Sequence, residues 1–332
     1  MRRKAITGIS FALLILITWI GVGYQSAVNK PAVHNALIVE IEKGDSFDSI
    51  SQKLLAQGID IEPLWFKVIA LQRRVINKLK AGEYQLTAGL TIPQILTIFA
   101  EGRAIKYAIT FPEGWSLKEL LQEIEKNPNL KQTLPKLASA EISSQLAISD
   151  KNPEGWFFPD TYYFEKNATD VSILKMAYAK MQSVLAQEWQ NKELNLPYKT
   201  PYEALIMASI VEKETAVSTE RAKIAGVFLG RLAKGMLLQT DPTVIYGMGD
   251  NYKGNIRAND LATPTPYNTY TIKGLPPTPI AMPGRDAIHA ALHPENEKNL
   301  YFVAKGDGSH QFSATLAEHN QAVNIFQKHK KK

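Results

Sequence analysis

The run Ile206-Met207-Ala208-Ser209-Ile210-Val211-Glu212-Lys213-Glu214-Thr215 constrains this chain more than any other segment. At about 100° per residue, Ala204, Leu205, Ile206, Met207, Ala208, Ile210 and Val211 leave one narrow polar stripe, through Ser209 and Lys213. A helix apolar nearly all round belongs inside a domain, so a core must form around it. Glu212 falls between Leu205 and Ala208 on that wheel, and Glu214 between Met207 and Ile210. Ionised carboxylates are costly there, and desolvation raises a glutamate pKa towards the range of a general acid. A structural reading stands beside the catalytic one: glutamates near a helix end pair with bases such as Lys213, Arg221 or Lys223. The two lie about 200° apart around the helix, so they cannot line one cleft and any site uses one of them.

A second apolar stretch lies at the N-terminus. Behind Met1-Arg2-Arg3-Lys4, Ala5 to Tyr24 carries no charge, matching the ~20 apolar residues that cross ~30 Å of hydrocarbon. Trp19 and Tyr24 suit the far interface, and the basic cluster suits the cytoplasmic side. A cleaved signal peptide would have a shorter apolar core and a small-x-small site, for which only Ser26-Ala27 is available. The expectation is a retained single-pass helix over 5–24 in the bacterial inner (cytoplasmic) membrane, with residues 1–4 cytoplasmic and the rest periplasmic. The absence of cysteine excludes disulfides, Cys-ligated zinc, thiol nucleophiles and iron–sulfur clusters. The net charge of +6, part of it in the 328–332 basic tail, suits anionic lipid headgroups or an acidic wall polymer. Nucleic acid is not expected as a partner.

The expected fold class is α+β: a membrane anchor, a small α/β subdomain, then a larger mixed α+β domain. After a linker over 25–35, Ala36 to Ile41 alternates as a strand, and Gly44-Asp45-Ser46 leads into a helix carrying Phe47, Ile50, Leu54 and Leu55. A second helix is expected over Ile61 to Lys80, then a strand at Gly82 to Leu86 and a helix through Pro93 to Phe99. The strand, Gly-Asp-Ser and helix over Val39 to Leu55 resemble the LysM module, which implies glycan binding for a subdomain at 36–103; a purely structural role is the alternative. Residues 104–152 read as a connecting region, with a Ser116/Glu119 capping box opening its helix.

The larger domain is expected over 153–327. Glu154 to Phe164 holds six aromatics in eleven residues, and aromatics beside acids and amides suit sugar rings as well as a core. Helices follow over Val171 to Glu193 and Thr219 to Lys234. Proline density over Pro264 to Pro283 rules out regular helix or interior strand, and its aromatics make a rigid groove wall. No nucleophile elbow, HExxH, P-loop or dinucleotide fingerprint occurs. His289 and His293 have metal-ligand spacing on a helix but no attendant carboxylate, which favours packing over metal. His310 offers a possible general base. No metal or cofactor is expected, and carboxylate chemistry on an extracytoplasmic polymer remains.

Several long motifs closely resemble the YceG-like family, the MltG-type endolytic murein transglycosylases. They are Ala208-Ser209-Ile210-Val211-Glu212-Lys213-Glu214-Thr215-Ala216, Leu238-Gln239-Thr240-Asp241-Pro242-Thr243-Val244-Ile245-Tyr246-Gly247, Tyr267-Asn268-Thr269-Tyr270, Gly274-Leu275-Pro276-Pro277 and Glu154-Gly155-Trp156-Phe157 with Pro159-Asp160-Thr161. The resemblance runs from the apolar N-terminus to about Phe326. It implies a lyase that cuts the β-1,4 bond between N-acetylmuramic acid and N-acetylglucosamine inside nascent glycan strands, leaves 1,6-anhydromuramyl ends and ends strand elongation. By position it makes Glu214 the acid/base and Glu212 a supporting carboxylate, a choice the residues alone leave open. Gln239, Asp241, Tyr267, Asn268, Trp156 and Asp160 are the candidate substrate-binding or orienting residues. Implied partners are glycan strands, the inner membrane and peptidoglycan synthases. The alternatives are an anchored glycan-binding scaffold without turnover, and a hydrolytic muramidase using Asp160 or Asp241 as second carboxylate.

Overall fold

The computed structural model describes residues 2–134, 139–149, 152–295 and 298–328, with backbone alone for 2–12, Ser139 and Lys328. The chain divides into two compact units, one of Met1–Tyr107 with Tyr163–Asn167, the other of Ala108–Tyr162 with Ala168–Lys332. Apart from the backbone of Lys328, the basic tail lies outside the described residues.

The first unit contains α1 (Arg2–Asn29), β1 (Leu37–Ile41), α2 (Phe47–Ala56), α3 (Pro63–Gln72), β2 (Gly82–Leu86) and α4 (Ile92–Glu101). Strands β1 and β2 pair antiparallel, from Leu37 opposite Leu86 to Ile41 opposite Gly82, with α2 and α3 between them in sequence. Ser46 starts α2 by accepting the Ser49 N–H at 3.1 Å. The core gathers Val39, Leu54, Phe66, Tyr84, Leu96 and Phe99, all fully buried. Helix α3 stops well short of Lys80, because Arg74 turns left-handed at φ 57° and the Val75 N–H returns to the Ala70 carbonyl. The segment Tyr163–Asn167 is tied in by Lys166, whose ammonium lies 2.7 Å from Glu83 and 3.2 Å from Glu40.

The expected membrane span is corrected here. Among the described residues no helix is long and apolar enough to cross a membrane, so the expected anchor and the inner-membrane, periplasmic address derived from it lose their support. From Leu13 onward α1 mixes its apolar residues with Thr18, Gly21, Gly23, Gln25, Ser26 and Asn29. Its later turns join a protein core: Tyr24, Ala27 and Val28 pack on the first unit's buried cluster. Trp19 and Tyr24 both lie against Trp65 of α3, with ring centroids 6.4 and 6.3 Å away. Length counting alone missed this.

Strand β3 (Tyr107–Thr110) leads into the second unit, which contains α5 (Leu117–Lys126), β4 (Leu130–Lys131), α6 (Ser139–Leu146), the first half of β5 (Thr161–Phe164), β6 (Ala168–Thr169), α7 (Asp170–Gln190), α8 (Pro201–Glu214), α9 (Arg221–Ala233), α10 (Asp241–Met248), α11 (Ala258–Ala262), α12 (Arg285–Leu292), β7 (Tyr301–Ala304), β8 (His310–Ser313) and α13 (Leu316–Val323); Tyr163 and Phe164 of β5 count with the first unit. Ser116 and Glu119 form the expected capping box of α5. Helix α8 is the axis of this unit's core. Every residue from Ala204 to Val211 is buried, and α7, α9 and α12 pack around it. Ser209 is not on a solvent stripe: it donates its hydroxyl to the Ile206 carbonyl at 2.7 Å and accepts the Ile280 N–H at 3.0 Å. That bond fixes the proline-rich loop, which holds no regular helix or strand from 263 to 284.

Candidate active site

Thr200 opens α8, its hydroxyl accepting the Glu203 N–H at 3.3 Å, with Pro201 at the first helical position. At the other end Thr215 is extended (φ −145°, ψ 135°), which makes Glu214 the last helical residue. Glu214 is partly buried, and its Oε1 accepts a hydrogen bond from the Thr240 hydroxyl. Burial pushes its carboxyl up to about 7; the Thr240 bond acts against the rise, the Asp241 charge adds to it and His310 opposes it.

Thr240 is held by a buried group of hydroxyls. Its N–H donates to Thr269 Oγ1 at 3.0 Å, its carbonyl accepts from Thr243 Oγ1 at 2.7 Å, and the Thr243 and Thr269 hydroxyls meet at 2.8 Å. Gln239, just before it, adopts left-handed backbone at φ 52°, a conformation that costs a non-glycine residue energy. Its N–H donates to the Thr269 carbonyl at 3.1 Å, and its Oε1 accepts from Arg231 Nη1 at 3.4 Å. Arg231 also donates to the Leu238 and Leu300 carbonyls at 2.8 and 2.7 Å, so a buried cation holds the turn that aims Thr240. Asp241 accepts the Tyr270 hydroxyl at 2.6 Å. His310 is oriented by Glu220, which accepts from its ring Nδ1 at 2.7 Å and its backbone N–H at 2.9 Å.

Glu212 has different partners. Its Oε2 accepts the Gly284 N–H at 3.0 Å and its Oε1 lies 3.3 Å from Arg221 Nη2. Burial raises its carboxyl, and the Gly284 bond and Arg221 charge pull it back. Arg221 also reaches Asp286 at 3.4 Å. Glu212 therefore joins α8, α9 and the start of α12.

A second strongly perturbed carboxyl is Glu154, only 3 % exposed. It accepts the Leu117 N–H of α5 at 2.9 Å and the Tyr246 hydroxyl of α10 at 3.0 Å, and burial pushes it up to about 7. It lies in the wall of a cavity of about 1230 Å³ between α5 and α10, whose lining also includes Asn152, Lys213, Pro242, Tyr246 and Tyr267. Lys118 of α5 pairs with Asp250 beyond α10. Glu214 is not among the lining residues, although Lys213 beside it is. The hollow and the perturbed helix end are neighbours along α10, not one place.

Of the residues selected from sequence, Glu214, Gln239 and Asp241 converge around Thr240. Tyr267 lines the cavity, its hydroxyl 2.9 Å from Thr278 Oγ1 and its ring edge-on to Tyr246 at 4.8 Å. Asn268 is fully buried; its amide donates to the Asp260, Leu261 and Thr263 carbonyls at 3.2, 3.0 and 2.7 Å, and its carbonyl accepts the Tyr270 N–H at 2.9 Å. It shapes the loop with every polar atom committed. Trp156 stacks on Tyr202 at 5.5 Å and packs on the second unit's core. Asp160 pairs with Lys180 and accepts the Thr161 N–H at 2.7 Å. Sequence reasoning missed the roles of Thr240, Glu154, Tyr246 and Glu220. Only Thr240 carried a local signal, as the hydroxyl residue just before an Asp-Pro helix start.

The fold and site define a mixed α+β protein organised around a raised carboxyl at the end of a buried helix. Residues 39–325 match the YceG-like family, and the chain belongs to it. A Bacillus subtilis (strain 168) protein named endolytic murein transglycosylase is 36% identical over 261 residues, covering 73% of this chain and 72% of that protein. A Streptococcus pneumoniae (serotype 2, strain D39) protein of the same name is 29% identical, with 95% of this chain matched to 64% of its length. A crystal structure of a yceG-like protein from Listeria monocytogenes, 31% identical, superposes with a TM-score of 0.56 over 87% of this chain and 99% of that one.

Proposed function

We propose that this chain is an endolytic lytic transglycosylase of peptidoglycan with Glu214 as its single acid/base. It cuts the β-1,4 bond between N-acetylmuramic acid and N-acetylglucosamine within glycan strands. The observation that carries this reading is the Glu214 carboxyl, pushed up to about 7 and held by Thr240.

A carboxyl of that pKa is partly protonated near neutral pH, so it can deliver a proton to the glycosidic oxygen as the C1–O bond breaks. Positive charge then develops on the muramyl ring. The muramyl C6 hydroxyl attacks C1, the new C1–O6 bond closes the 1,6-anhydro ring, and the Glu214 carboxylate takes the hydroxyl proton. The acid returns to its starting state and no water is consumed. One carboxyl suffices because the nucleophile is intramolecular, which also lowers the entropic barrier. The Thr240 hydroxyl stabilises the carboxylate between the two proton transfers, and Asp241 adds negative potential beside the cationic ring.

The cavity between α5 and α10, which adjoins Glu214 without including it, holds the stretch of glycan next to the scissile bond, with the Tyr246 and Tyr267 rings as sugar-stacking faces. In the first unit, the two helices between antiparallel β1 and β2 support the LysM-like reading, with this unit docking glycan. Cleavage inside nascent strands ends their elongation and places the protein beside peptidoglycan synthases.

The test compares uncrosslinked glycan strands treated with the native chain and with Glu214→Gln. Anhydro-ended fragments from the native chain, and glycan binding without cleavage by the variant, are expected. Undiminished cleavage by Glu214→Gln would overturn the assignment.

A further inference from the structure

The His289-x-x-x-His293 pair reads from sequence as metal-ligand spacing without a carboxylate. The fold supplies the carboxylate from 101 positions upstream: Glu188 Oε2 lies 2.9 Å from His289 Nδ1. We propose that Glu188, His289 and His293 form a binding site for one divalent transition-metal ion of the zinc class, separate from the Glu214 chemistry.

The geometry supports this in three ways. First, one ligand atom from each residue can be chosen so that all three lie within 4.8 Å of one another; the His293 ring nitrogens now face the Asn191 and His289 carbonyls at 2.8 and 3.1 Å, so ion binding turns this imidazole away from them. Second, the scaffold is regular. Glu188 is in the last turn of α7, His289 is on α12, and His293 is its C-cap, held by its N–H to the His289 carbonyl at 2.8 Å. The two imidazoles are immediate neighbours, centroids 4.0 Å apart, and on ion binding their planes turn from the present stack so that one nitrogen of each faces the ion. Third, Glu188 is pre-oriented. Arg285 Nη1 binds its Oε1 at 2.7 Å, which fixes the carboxylate and leaves Oε2 towards the histidines. The Glu188 side chain is 11% exposed and His289 57%, so the site has a buried anchor and an open side through which a hydrated ion can reach it.

Two imidazoles and one carboxylate are the donor set of zinc and its neighbours, with water completing the shell; magnesium and calcium prefer all-oxygen sites. The adjacent Arg285 guanidinium disfavours a second positive charge and sets the affinity below that of a closed structural zinc site. A bound ion would tie α7 to the end of α12. The other end of α12 begins after Gly284, whose N–H holds Glu212 on α8. The ion is therefore a clamp on the helices that surround α8, and its effect is on stability.

The test uses the full chain without a polyhistidine tag. Zinc chloride is titrated calorimetrically, cobalt(II) by visible absorption, and melting temperature is followed in parallel. One equivalent bound, cobalt bands of a nitrogen-containing site and a raised melting temperature are expected, with magnesium and calcium inactive. His289→Asn and His293→Asn, each confirmed folded by circular dichroism, should each weaken binding at least tenfold and abolish the thermal shift. Glu188→Gln should do the same while keeping bonds to Arg285. No saturable binding, or binding indifferent to both histidine substitutions, would overturn the proposal.

Discussion

Replacing Thr240 by valine tests the electrostatics of the candidate site most sharply. Thr240 is 1% exposed, valine has nearly its shape, and the backbone bonds to Thr269 and Thr243 do not need its hydroxyl. What is lost is the Oγ1 donor to Glu214. That bond favours the carboxylate over the acid, so its removal raises a pKa already at about 7. A hydrogen bond to a charged group contributes about 1.5–3 kcal/mol, and the acid form keeps part of it, leaving a differential of about 1.4 kcal/mol. This equals about one pH unit. In the proposed mechanism the acid step requires protonated Glu214, so activity should fall as pH rises through its pKa, and the alkaline limb should move up by about one unit in Thr240→Val. Relative to each enzyme's own maximum, the rate at pH 8 should rise about fivefold. The assay is anhydro-product formation across pH, reading the limb's position and not its height. A limb that stays or moves down would refute the reasoning. Glu154→Gln is the control, because Glu154, the one other carboxyl pushed to about 7 among the described residues, would carry the limb if the assignment were wrong.

Glu154 also sets a pH dependence of stability. Its pKa is 4.5 in the unfolded chain and about 7 when folded. Its contribution is full below 4.5 and is lost as pH rises to 7, by about 3 kcal/mol; urea unfolding of Glu154→Gln should show a correspondingly smaller fall between pH 5 and 7.5, and an unchanged fall would contradict this. Gly226→Ala should destabilise by about 2 kcal/mol in urea unfolding although alanine is the better helix former, because a Cβ there would lie 2.1 Å from the Glu295 carbonyl oxygen. A stability gain would show that this contact yields. Arg221→Met removes the cation beside buried Glu212 and should cost about 3 kcal/mol, seen as a lower melting temperature; Glu212→Gln should keep cleavage activity, and its loss would move the chemistry to the wrong glutamate.

The features legible in sequence are those set by neighbours along the chain. The apolar wheel of Ala204 to Val211 foretold its burial, the Ser116/Glu119 capping box opens α5, and proline density kept 263–284 free of regular structure. The wheel gave the angle between Glu212 and Glu214 but not what each would meet. Gly284 and Thr240 are 72 and 26 positions away from them, and only tertiary packing brings them in. The same holds for Glu154, which joins α5 to α10, and for the carboxylate that the His289/His293 pair lacked. Ser209 read only as part of a narrow polar stripe, because a hydroxyl carries no sign of the Ile280 N–H it accepts. The N-terminal run failed differently: a count of uncharged residues over 5–24 gives no weight to Thr18, Gly21 and Gly23, and it cannot show the helix running on to Asn29 with Tyr24, Ala27 and Val28 joining a core.

The central claim is that the muramyl C6 hydroxyl, and not water, completes the reaction after Glu214 donates its proton. It is tested most directly by cleaving glycan strands in ¹⁸O-labelled water and weighing the new muramyl ends. The account predicts ends one water lighter than a reducing terminus and free of label. Reducing ends carrying one ¹⁸O would make the enzyme a muramidase, with Asp241 the first candidate for a second carboxylate, and would contradict the single-carboxyl mechanism.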